Sequence, residues 1–175
     1  MTSVNKTKLK KYAVYILILL AAHLFQNSLR IFPAVFGVRP ALLISAAVCI
    51  AMYEGEIVGA ALGLFAGALW DTVTVAADGY NALFLMAACA FCGVFLRVFL
   101  RNNVLTYLWI NTLVTCLYFA TYVIFFITSR GIPGGFAIFF RYYLPMAVYS
   151  VILTPFWYLL IRRVNRKFPI AYIEY

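Results

Sequence analysis

Acidic side chains are scarce in this chain. Five Asp and Glu stand against fourteen Lys and Arg in 175 residues, and charged residues make up 11% of the total. An ordinary soluble domain carries about 25% charged and about 45–50% apolar residues. Here 66% are hydrophobic, and the mean hydropathy is +0.98. Such a composition excludes a soluble coat, and no polar segment is long enough to form a separate domain. Histidine is reduced to His23. That excludes a multi-histidine metal site and leaves no histidine–carboxylate pair within sequence reach. There is no G-x-S-x-G, P-loop or dinucleotide fingerprint. Four cysteines are present, Cys49, Cys89, Cys92 and Cys116. Cys89-x-x-Cys92 has no second pair and no nearby histidine, so it reads as small apolar filler rather than a zinc or redox motif. No enzyme site, metal or cofactor is expected.

What is present is apolar sequence with basic flanks. The net charge of +9 could suggest nucleic acid, but its distribution argues otherwise. Lys6, Lys8, Lys10 and Lys11 precede the first apolar run, and Arg162, Arg163, Arg166 and Lys167 follow the last. These are the flank positions where positive charge orients membrane helices. A spanning helix needs about 20 apolar residues. Six spans are expected in one bundle, over residues 12–32, 38–53, 55–71, 79–100, 104–128 and 136–161, forming a single integral membrane domain over 1–175. The run after Lys11 also resembles a signal peptide, but His23-Leu24-Phe25-Gln26 offers no small-x-small cleavage site, so an uncleaved span is expected. Six spans put both termini on one side. With that side inside, ten Lys and Arg face in and four (Arg30, Arg39, Arg130 and Arg141) face out, in line with the positive-inside rule.

The stretch from Glu54 to Asp71 reads as the organising element. Gly55, Gly59, Gly63 and Gly67 recur every four residues, and Asp71 continues the row. A step of four returns to nearly the same side of a helix. In lipid such small residues let another helix approach closely, as in G-x-x-x-G pairs. The row alone does not say whether that partner helix belongs to this chain or another. Glu54 and Glu56 are expected to sit favourably at the helix N-terminus. Asp71 is expected to cap a neighbouring helix, pair with an arginine or touch a substrate. Trp70 is expected at interfacial depth. His23 and Asn27, one turn apart, are expected to hydrogen-bond to another helix. The fifth span is polar for a lipid-facing helix, through Asn111, Thr112, Thr115, Tyr118, Thr121 and Tyr122. Pro145 and Pro155 should kink the last.

The short segment 41–53, the Glu54-Gly55-Glu56 turn, then Gly59, Gly63, Gly67, Asp71 and Gly79 together resemble the MreD family of rod shape-determining bacterial membrane proteins. The resemblance covers roughly residues 10–167. It implies a multi-pass protein of the bacterial inner membrane with both termini cytoplasmic. It also implies a non-enzymatic scaffold that pairs with MreC, a single-span protein, and through it with MreB, the RodA glycosyltransferase and a class B penicillin-binding transpeptidase. The implied helix-packing or partner-binding residues are Gly55, Gly59, Gly63, Gly67, Asp71 and Gly79. The layout is also similar to the substrate-binding S component of energy-coupling-factor vitamin transporters. That alternative needs a polar outer pocket, for which Asp71, Asp78, Asn81 and Arg130 are the candidate lining.

Overall fold

The structure, a computed structural model, describes residues 3–27, 38, 40–74, 79–99, 103–128 and 135–168. Helices account for nearly all of them: α1 (Ser3–Asn27), α2 (Leu42–Glu54), α3 (Glu56–Asp71), α4 (Tyr80–Phe99), α5 (Val104–Tyr122), α6 (Gly135–Ile138), α7 (Leu144–Ile152) and α8 (Thr154–Lys167). A π-helical stretch, Val123–Thr128, prolongs α5, and another, Phe139–Tyr143, joins α6 to α7. The described residues thus form six helical rods, the last of them α6 through α8. Three stretches are long and apolar enough to cross a membrane: Lys6–Asn27, Val104–Thr128 and Phe139–Lys167. The protein is an all-α membrane protein.

The centre of the bundle is α2, not the glycine helix that the sequence pattern put first. Every residue of α2 except Tyr53 is buried. It packs against α1, α3, α4, α5, α7 and α8, whereas α3 leaves Ile57, Ala61, Leu64 and Ala68 exposed. The physical reason is visible in Leu42–Tyr53: the segment is apolar all round, and a helix without a polar face is buried on all sides. A glycine row reports close approach on one side only. At 1.5 Å per residue, α2 is about 20 Å long, short of a hydrocarbon core of about 30 Å. Its first N–H groups therefore lie inside protein and need partners there. Gln26 Oε1 of α1 accepts the Leu43 N–H at 3.0 Å, and Ser150 Oγ of α7 accepts the Ala41 N–H at 2.8 Å.

The last rod has a turn at Leu153, two residues before Pro155, and changes from π- to α-helix next to Pro145. Pro145 stands in the first turn of α7 and Pro155 in the first turn of α8. A proline lacks the N–H needed mid-helix but is tolerated in a first turn.

Candidate functional site

The residues singled out by the glycine pattern border the α3–α4 helix pair, with Gly59 set also against Ala51 of α2. Gly55 joins α2 to α3 at φ 81 and ψ −170, a region essentially restricted to glycine. A Cβ on Gly59 would sit 2.7 Å from Ala51 Cβ and 3.4 Å from the Cys89 carbonyl oxygen. One on Gly63 would sit 2.5 Å from the Leu85 carbonyl oxygen, and one on Gly67 would collide with the backbone of Asn81 and Ala82. Gly93 returns the fit, since its Cβ would meet Glu56 N at 2.5 Å. Each four-residue step up α3 meets a four-residue step down α4, so the trough is filled by this chain's own helix. Cys89, from the C-x-x-C, is the small buried residue that fits over Gly63.

Asp71 completes the seam. Its Oδ1 and Oδ2 accept the Asn81 and Ala82 N–H groups at 3.3 and 3.0 Å, capping the start of α4, where the helix dipole favours a carboxylate. Gly79, at φ 79, turns the chain into α4. Asn81 is buried, donates to Thr74 Oγ1 at 3.1 Å and accepts the Tyr118 hydroxyl at 2.6 Å. Trp70 turns inward and stacks on Tyr118 at 5.1 Å. Asp78, Arg30, Arg39 and Arg130 lie outside the described residues.

Three polar contacts differ from the sequence reading. Among the described residues the His23–Asn27 pair bonds within α1, where Asn27 Nδ2 donates to the His23 carbonyl oxygen at 3.0 Å. The two are one turn apart on one helix, within reach of a local bond. Glu54 belongs to the end of α2, not the start of α3. There the helix dipole opposes a carboxylate, and a cation compensates: Lys11 Nζ pairs with Glu54 Oε1. Tyr15 OH donates to the same oxygen at 2.7 Å, and Asn165 Nδ2 donates to Tyr15 OH at 2.9 Å. Lys11 is therefore no solvated flank residue; its side chain is 2% exposed. The cluster ties α1, α2 and α8 together at the end that bears the termini. In the interior, Asn111 Nδ2 donates to Ser45 Oγ and Thr154 Oγ1 at 3.0 and 2.8 Å, and Tyr107 OH donates to the Ser45 carbonyl oxygen at 2.5 Å. Asn111 was legible as an inward polar residue. Ser45, Thr154, Gln26 and Ser150 carried no comparable signal, because isolated small polar residues are common in apolar helices.

The described residues form two surface hollows of note. One is an apolar groove of about 260 Å³ between α1 and α8, lined by Ile18, Ala21, Phe25, Leu42, Leu153, Phe156, Trp157 and Leu160. The other is a basic cleft at the opposite flank of α8. Among the described residues no three His, Cys, Asp or Glu converge to hold a metal.

A family model for the rod shape-determining protein MreD matches residues 7–164. The chain belongs to the MreD family. No curated protein and no solved structure matched it. The match runs from the basic flank of α1 into α8, so the Lys11–Glu54 pair and the whole α3–α4 seam lie within the MreD region. It makes the chain a member of a rod shape-determining family of membrane proteins.

Proposed function

We propose that the chain is a non-enzymatic scaffold of the cell-elongation machinery in the bacterial inner membrane. Both termini are cytoplasmic, and the groove between α1 and α8 receives the single span of MreC. Through MreC the chain would connect to MreB, RodA and a class B transpeptidase that build the wall. The observation that carries this reading is the division of apolar surface. The glycine trough is filled by α4 and, at Gly59, by Ala51 of α2, so it offers nothing to a partner. The groove on α1 and α8 is apolar and is not filled by the described residues, and membrane helices associate through such close-fitting surfaces. Basic termini on one side support the orientation. Of the four residues named for a vitamin pocket, the two that are described are otherwise engaged: Asp71 caps α4, and Asn81 is held by Thr74 and Tyr118.

Ala21→Trp places a large ring in the groove without touching the α3–α4 seam. Recovery of MreC with the tagged chain from mild detergent is expected to fall about tenfold, the equivalent of about 1.4 kcal/mol. Undiminished recovery, with the variant present at normal levels in the membrane, would remove the groove as the MreC seat.

A further inference from the structure

The second hollow, of about 330 Å³, is lined by Tyr53, Tyr158, Arg162, Asn165 and Arg166. We infer that it binds the phosphate headgroup of an anionic phospholipid in the leaflet on the side of the termini. Arg162 and Arg166 are one turn apart on α8 and both are exposed, so their guanidinium groups share a face. The planar fork of each matches phosphate oxygens in a bidentate way. Among the described residues no carboxylate pairs with either. The nearest buried acid, Glu54, is already held by Lys11 and Tyr15. The floor is aromatic and fixed: Tyr158 is buried, its ring lies 6.0 Å from that of Tyr53 and stacks on Tyr107 at 5.8 Å. Arg163 and Lys167 follow on the same helix, both exposed, which raises the local positive potential.

The surface below the cleft favours a lipid over free phosphate. Leu159 is 52% exposed. It precedes Arg162 by three residues and Arg166 by seven, so it lies on the same helix face, toward the apolar side. A headgroup held by the two arginines would lay its acyl chain against Leu159. Basic pockets between helices at a membrane surface take anionic lipid headgroups on these grounds.

The test uses the full chain in neutral detergent. Its thermal midpoint is followed while dioctanoyl phosphatidylglycerol, dioctanoyl phosphatidylcholine or inorganic phosphate is added. Phosphatidylglycerol is expected to raise the midpoint saturably, and the other two are not. In Arg162→Gln/Arg166→Gln the half-saturating concentration is expected to rise about tenfold. In Arg163→Gln/Lys167→Gln, which removes the same charge outside the cleft, it should change by no more than about twofold. Equal losses in both pairs would show diffuse attraction and overturn the site. So would an equal response to phosphatidylcholine, while a response to inorganic phosphate alone would reassign the cleft to a free anion. If the glutamine pair does not fold, Arg162→Lys/Arg166→Lys keeps the charge and removes the fork. It is expected to weaken binding too, and full affinity there would contradict the inference.

Discussion

At the residue scale, the Lys11–Glu54 pair is an ion pair with both side chains buried. Removing an ion from water costs several kcal/mol, which is recovered only with a close partner and further hydrogen bonds. Tyr15 and Asn165 supply those bonds. Lys11→Met would take its buried cation from a carboxylate at the C-terminal end of α2, and is expected to cost about 3–5 kcal/mol. Glu54→Gln should cost less, because the long lysine side chain can reach toward the surface when its partner is gone. Lys11→Met/Glu54→Gln should recover most of the loss. Denaturant titration of the three variants in detergent checks the ordering; additive losses in the double variant would mean that the two side chains do not interact. Neither partner was legible as such. Lys11 looked like one more flank cation and Glu54 like a helix-start acid. Their meeting depends on α1 folding back along α2, which local sequence does not encode.

At the element scale, the α3–α4 hairpin is the part the sequence disclosed best. A four-residue glycine spacing implies a trough, and the trough exists. Its occupant was undetermined because a glycine row carries no information about the chain that fills it. The answering residues on α4, Leu85, Cys89 and Gly93, are ordinary members of an apolar helix. Close approach through backbone atoms makes the seam intolerant of even one methyl group. Gly63→Ala brings a Cβ to 2.5 Å from the Leu85 carbonyl oxygen and is expected to destabilise by about 1–3 kcal/mol through forced backbone shifts. Ala68→Leu, on the exposed face of α3, should be neutral within about 0.5 kcal/mol. Thermal unfolding of both variants in detergent separates them, and an unchanged Gly63→Ala midpoint would contradict the packing described. The central place of α2 was not legible for the opposite reason. It has no motif, only uniform apolarity, and its caps come from Gln26 and Ser150 on other helices.

At the scale of the whole molecule, six rods, basic ends and the turn near Pro155 were legible because each follows from local chemistry: run length, flank charge and a missing N–H. Which surfaces remain free was not, since that depends on how the rods pack. Among the described residues the packing closes the glycine trough and leaves the α1–α8 groove open, and the scaffold account depends on that division. Photo-crosslinking in the native membrane tests it most directly, with a photoreactive residue placed at Phe25 or Leu160 in the groove and at Leu113 on the exposed face of α5. The account predicts crosslinks to MreC from the two groove positions and none from Leu113. Crosslinks from Leu113 with none from Phe25 or Leu160 would contradict it and move the partner to the other side of the bundle.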